Sequence, residues 1–353
     1  MTSASLLACK AFPFAEADEE MHELSWLGTR YACRVLTPRG TPASEPLLVI
    51  GGVLQDMHSW PRLERRLADH QAIVFVELPG VGNSQALPDE FTWEDLAEAA
   101  VHAMDALRID RFNVMGGSAG APIAYRVARQ HPDRTTRLAL IGATPRLSPR
   151  VSDLVKAGQR RFDRLYRPGV PSVDDATHEE SARQVVELLM NTTAAAEVSR
   201  SRMVSRMLHR QLLEFPRQAL LRFADYHQRL IIDRELLPPG GIQGVKALVL
   251  TGEYDLASPP DQGRAVAATI AGSTFLLMKN ADHLVHIERE AEFADLISRF
   301  LTDAPLDALP YCTLPEHLAE PGGTPAHARC PGAATCAPPG SPSAEPTIGR
   351  SVR

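Results

Sequence analysis

Gly116-Gly117-Ser118-Ala119-Gly120 sets a serine among small residues, directly after the apolar run Phe112 to Met115 and ahead of helix-like text from Ala121 to Arg129. The match to G-x-S-x-G gains weight from that context, because a strand before and a helix after are the setting of a nucleophile elbow. In such a turn the serine takes a strained backbone conformation, and flanking glycines let strand and helix approach. The hydroxyl then stands at the carboxyl edge of a sheet, where ligands bind in open α/β folds. A phosphate cradle is the alternative reading. The stretch lacks both the Lys-[Ser/Thr] ending of a P-loop and the G-x-G-x-x-G spacing.

A serine hydroxyl is a poor nucleophile at neutral pH. It needs a base, and the base needs an orienting acid. Both types stand later in the chain. Val245 to Thr251 leads into GEYDLASPP, which carries Asp255; Thr274 to Met278 leads into KNADHLVHIERE, which carries His283. Each follows a strand-like run, as Ser118 does. Glu253 and His286 are the alternatives to Asp255 and His283. Asp282 adjoins His283, but neighbours in an extended loop point apart. Acyl chemistry also needs donors for the developing oxyanion. The backbone N–H groups of Ala119 and Val53, the latter in Gly51-Gly52-Val53 after the first buried run, are the expected pair.

The elements that position these residues alternate. Leu47–Ile50, Ala72–Val76, Phe112–Met115 and Leu138–Ile141 are short apolar runs, separated by amphipathic stretches such as Trp93–Leu107. Strands buried on both faces and alternating with helices predict a mostly parallel central sheet flanked by helices, an α/β fold. The expected organisation is a flexible start over 1–22, a first core segment over 23–144, a helical insertion over 145–241 and a second core segment over 242–302. A disordered Pro/Gly/Ala-rich tail follows over 303–353. Two independent domains are the alternative, but the last strands have few partners unless they join the first sheet.

Composition excludes several classes. The formal net charge is -6, which does not suggest general nucleic-acid binding. No window is long and apolar enough for a membrane span, and the N-terminal apolar stretch is too interrupted for a signal sequence. The five cysteines are odd in number and widely spaced, so no disulfide framework is expected and a cytoplasmic location is the default. Cys312, Cys330, Cys336, His317 and His327 invite a zinc site, but their spacing fits no closed one. No metal or organic cofactor is expected.

Taken together, these segments resemble the α/β-hydrolase fold superfamily. VELPGVGNS (Val76 to Ser84) is similar to the D-x-P-G-x-G-x-S segment of that family, RIDRFNVMGGSAG to its elbow block, and LVLTGEYDLASPP and NADHLVHIE to its acid and histidine loops. The likeness runs from about residue 23 to residue 302. It departs at Gly51, where the family usually carries histidine, at small Gly117 before the serine, at Ala121 for a common glycine, and at Glu77 for aspartate. The resemblance implies a serine hydrolase with Ser118 as nucleophile, His283 as base, Asp255 as orienting acid, and a lid over 145–241. The expected substrate is a small-molecule acyl ester or thioester. An acyltransferase with the same triad and a non-catalytic binding protein are the alternatives. The lid's apolar residues (Leu188, Leu189, Met190, Met203, Met207, Leu208, Leu212, Leu213, Phe215) either pack on the core or line an acyl pocket. Its arginines (Arg200, Arg202, Arg206, Arg210, Arg217, Arg222, Arg229) form either a solvated face or a dock for an acyl carrier protein or CoA thioester.

Overall fold

A computed structural model describes residues 17–52, 55–165, 175–214, 222 and 224–318. Strands β1 (Ala17–Trp26) and β2 (Thr29–Pro38) form an antiparallel hairpin around Leu27 and Gly28. Both turn residues have positive φ, the twist that tight hairpins favour. The next strands are short and buried throughout: β3 (Leu47–Ile50), β4 (Ile73–Glu77) and β5 (Phe112–Gly117). With β6 (Thr135–Ile141), β7 (Lys246–Gly252), β8 (Thr274–Met278) and β9 (Glu316–His317) they build one sheet in the order β1-β2-β4-β3-β5-β6-β7-β8-β9. All pairings from β4 to β8 are parallel. The late strands therefore join the first sheet, and the described strands form one continuous sheet.

Alternate residues of each strand feed opposite faces. Leu47, Val49, Ile73 and Phe75 pack with α1 (Pro61–Leu67) and with helix Glu290–Leu301. Leu48, Ile50, Val74 and Val76 pack with α2 (Trp93–Ala106) and α3 (Ala121–Gln130). Covering both faces is what lets unbroken apolar runs serve as strands. Between β6 and β7 lie α4 (Pro149–Leu165), α5 (Asp175–Leu189), α6 (Ser201–Leu213) and a π-helical turn, His227–Ile231.

Two boundaries move. β1 begins at Ala17, inside the stretch expected to be a flexible start, and pairs with β2 along its whole length. Its Asp18, Glu19 and Glu20 are exposed, so an edge strand with a polar outer face leaves no apolar run to read. The disordered tail expected from residue 303 does not begin there. Over 303–318, Leu309 and Cys312 are buried, Cys312 bridges Met278, and β9 pairs antiparallel with β8. Residues 319–353 lie outside the described chain, as do Cys330, Cys336 and His327. Among the described residues no helix is long and apolar enough to cross a membrane, and no three His, Cys, Asp or Glu side chains could hold a metal ion.

Candidate active site

β5 delivers the serine. Ser118 has φ +50°, a left-handed conformation that costs a non-glycine residue about 1–2 kcal/mol. The motif's outer glycines make that turn possible. A Cβ on Gly116 would lie 2.5 Å from the Gly120 carbonyl oxygen, and one on Gly120 would lie 2.3 Å from the Ile50 oxygen. No side chain fits where β3, β5 and α3 converge. The chain then enters α3, so Ala119 sits at a helix start, where backbone N–H groups lack intrahelical acceptors.

The three distant side chains meet. Ser118 Oγ is 2.9 Å from His283 Nε2, and His283 Nδ1 is 2.9 Å from Asp255 Oδ2. The other Asp255 oxygen accepts the Ser258 N–H at 2.8 Å, which fixes the carboxylate's orientation. Asp255 is 1 % exposed and His283 6 %, so solvent barely screens their attraction. Burial disfavours the imidazolium, but the charge and hydrogen bond of Asp255 outweigh it, and the His283 pKa stands above its ordinary value.

The alternatives lie elsewhere. Glu253 accepts the Asn280 N–H and supports the histidine loop from outside. Asp282 accepts the backbone N–H groups of His283 and Asn191, not the imidazole. Its own N–H donates to Glu288 at 2.6 Å. Burial pushes the Asp282 carboxyl up to about 6 and the Glu288 carboxyl up to about 8. His286 faces Gln55, with its Nε2 2.9 Å from the Gln55 Nε2. Glu77 is buried and accepts the N–H groups of Asn83 and Met57, so it braces two loops. The expected donor Val53 lies outside the described residues.

A family model described as alpha/beta hydrolase fold matches residues 45–290. The chain belongs to that family. It is 27% identical over 246 residues to "2-hydroxy-6-oxononadienedioate/2-hydroxy-6-oxononatrienedioate hydrolase 2" of Pseudomonas putida, covering 68% of this chain and 80% of the relative. It is 24% identical over 279 residues to the 2-hydroxymuconate semialdehyde hydrolase of Pseudomonas sp. strain CF600, covering 76% and 90%. The enol-lactonase from Burkholderia xenovorans LB400 superposes with a TM-score of 0.61 at 24% identity, over 80% of this chain and 100% of that one.

In this α/β-hydrolase a cleft of about 1170 Å³, mouth included, opens over Ser118 and His283. Val151 and Val155 of α4, Val185, Leu188 and Leu189 of α5, and Leu208 of α6 form one wall. The apolar residues of the helical segment thus divide. Met190 and Leu212 pack between helices, Met203 and Leu213 are partly exposed, and Phe215 lies outside the described residues. Four of the arginines are engaged within the protein. Arg200 pairs with Glu290 and Arg210 with Glu214, while Arg222 and Arg229 donate to backbone carbonyls between Gly82 and Asp89. Arg217 lies outside the described residues.

Three contributors escape sequence reading: Gln55, Gly142 and Asn191. Gln55 pairs with His286, which the sequence offered only as an alternative base. Gly142 presents a bare backbone to the imidazole: a Cβ there would lie 3.0 Å from His283 Cε1. Asn191 joins the helical segment to both loops, donating its N–H to Asp282 and its side chain to the Tyr254 carbonyl. Only Gly51 hinted at any of this, as a missing side chain beside the nucleophile.

Proposed function

We propose that this α/β-hydrolase cleaves an ester or thioester of an uncharged, apolar acyl group through an acyl-enzyme on Ser118. His283 Nε2 takes the Ser118 proton as Oγ attacks the carbonyl, then returns it to the leaving group. Asp255 holds the imidazole in register and stabilises its cation. The Ala119 N–H, together with a donor from the loop after β3, holds the oxyanion. Water attacks the acyl-enzyme with His283 again as base. The observation that carries this reading is the unbroken Ser118–His283–Asp255 hydrogen-bond chain at the floor of the cleft.

The cleft's chemistry supports the substrate class. Among the described residues no Lys or Arg lines it. Its second histidine beside the nucleophile, His286, is held neutral: burial first, then His283 and Arg62, push its pKa down to about 3. A dioate, the substrate type in the name of the Pseudomonas putida relative, would bring two carboxylates into a lining whose described residues include no Lys or Arg to pair them. Unpaired buried charge is strongly unfavourable. Free, buried Cys33 and Cys312 support a reducing, cytoplasmic setting.

The test is a substrate panel. p-Nitrophenyl esters and acyl thioesters of graded chain length are compared with a 2-hydroxy-6-oxo dienedioate, reading kcat/KM and products. The expected result is at least a hundredfold preference for an apolar ester or thioester, with free acid as product. Preference for the dioate would overturn the substrate class, and ester formed with an added alcohol would convert the reading to acyl transfer.

A further inference from the structure

Asn191 is buried just past the end of α5, and both ends of its amide are used. Its Oδ1 accepts the Thr193 hydroxyl at 2.6 Å and the Ala194 N–H at 3.2 Å, the capping arrangement that favours asparagine before a helical turn. Its Nδ2 donates to the Tyr254 carbonyl at 3.0 Å, next in the chain to Asp255. Its backbone N–H donates to the carboxylate of Asp282, next in the chain to His283. One residue of the helical segment thus holds the chain neighbours of both the orienting acid and the base.

Asp282 is the hub. It is buried; one carboxylate oxygen accepts the Asn191 N–H and the other accepts the His283 N–H at 2.9 Å. A carboxylate has an oxygen for each of these donors, and an amide in its place would not. The acid and histidine loops also touch through their backbones. Tyr254 N–H donates to the Ala281 carbonyl at 2.9 Å, and a Cβ on Gly252 would lie 2.1 Å from the Asp282 carbonyl oxygen. Further along the helical segment, Ser199 N–H donates to the Asn280 carbonyl at 2.7 Å, and Asn280 Nδ2 donates to the Glu197 carbonyl at 3.1 Å. The chain from Asn191 to Ser199 is therefore stitched to the histidine loop at both ends. Directly before it, α5 presents Val185, Leu188 and Leu189 to the cleft.

We propose that Asn191 is a positioning residue that couples the cleft wall to the triad: an acyl chain packed on α5 seats Asn191 on Asp282 and Tyr254, and so sharpens the placement of His283 and Asp255. The role rests on the hydrolytic reading above and deepens it, because acyl length is then selected in rate as well as in affinity. Binding energy from the remote end of a substrate raises kcat only where it is used at the reacting centre. Asn191 touches no reacting atom and moves no proton; it acts through the backbone on either side of it.

The experiment compares wild type, Asn191→Ala and Asp282→Asn on p-nitrophenyl esters from acetate to octanoate, with kcat and KM read separately. In wild type, kcat should rise about tenfold and KM should fall as the chain grows long enough to reach α5. Asn191→Ala removes the bond to Tyr254 but leaves Leu188 and Leu189 in the wall. KM should keep its fall with length, while the rise in kcat should shrink to within about twofold. Asp282→Asn leaves one of the two N–H groups facing an NH₂ that only donates, and should lose the same length dependence. A merely structural role would lower kcat by one factor at every length. If one variant does not fold, the other decides. A reading without turnover comes from hydrogen exchange on wild type. Saturating octan-1-ol, judged by the Leu188 and Leu189 methyl shifts, should slow the Asn191 and His283 amides about fivefold. A length-dependent rise in kcat that survives in either folded variant or is absent from wild type, or exchange that octan-1-ol leaves unchanged, overturns the inference. A wild-type protein that hydrolyses no ester overturns the hydrolytic reading instead, and exchange still decides whether α5 and His283 are coupled.

Discussion

Gly142→Ala separates positioning of the base from general stability. Gly142 has φ +58°, so alanine there carries a backbone cost of about 1–2 kcal/mol. It also adds a methyl 3.0 Å from His283 Cε1 and 3.2 Å from Nδ1, where ordinary contact starts at 3.4 Å. The ring must yield by about 0.4 Å, although Ser118 and Asp255 hold it at 2.9 Å on either side. A misplacement near 1 Å costs about a hundredfold in rate, so this shift is worth roughly fivefold to tenfold in kcat. Backbone strain alone lowers Tm by about 2–8 °C. Gly272→Ala supplies the control, because Gly272 has φ +66° and nothing within 4 Å of the added methyl. The assay is kcat on a p-nitrophenyl ester beside a thermal melt for each variant. Both variants should lose Tm, and only Gly142→Ala should lose kcat. Equal kcat in the two would refute the claim that the His283 position is set to within tenths of an ångström.

Two titrations follow from the same loops. His283 acts as a base only when neutral, and Asp255 favours its protonated form despite burial, so kcat/KM should rise with pH through a midpoint above the ordinary 6.5. Asp255→Asn should lower that midpoint and cut kcat about 10⁴-fold; a wild-type midpoint at or below 6.5 in a pH–rate profile would count against the pairing. Burial raises the Glu288 carboxyl from 4.5 to about 8. The unfolded chain therefore loses this proton while the folded chain keeps it, and stability falls as pH climbs between those values, by up to about 1.4 kcal/mol per unit. Glu288→Gln should flatten the decline of Tm over that window; parallel Tm curves would show that Glu288 is not held protonated.

Much of this architecture was legible because it rests on local pattern. Apolar runs such as Leu47–Ile50 have only one environment open to them, and Ser118, Asp255 and His283 each follow such a run at the same sheet edge. What stayed hidden depends on contacts across the chain. Gln55 and His286 are ordinary polar residues until β3 and β8 lie in one sheet and bring their loops together. Gly142 reads as a turn glycine until the imidazole is placed against it. The start of β1 hides for a different reason: exposed Asp18, Glu19 and Glu20 erase the apolar signal, and pairing with β2 extends the strand back to Ala17. Two arginines of the helical segment carry a role their count does not show: Arg222 and Arg229 donate to carbonyls of the protein itself.

The most direct test of the account is covalent. Wild-type protein is treated with a fluorophosphonate, digested, and mapped by mass. The account predicts one adduct on the peptide carrying Ser118, no adduct in Ser118→Ala, and a fall in ester turnover on the order of 10⁶ in that variant. An adduct on another residue, or turnover that survives the loss of the hydroxyl, would contradict it.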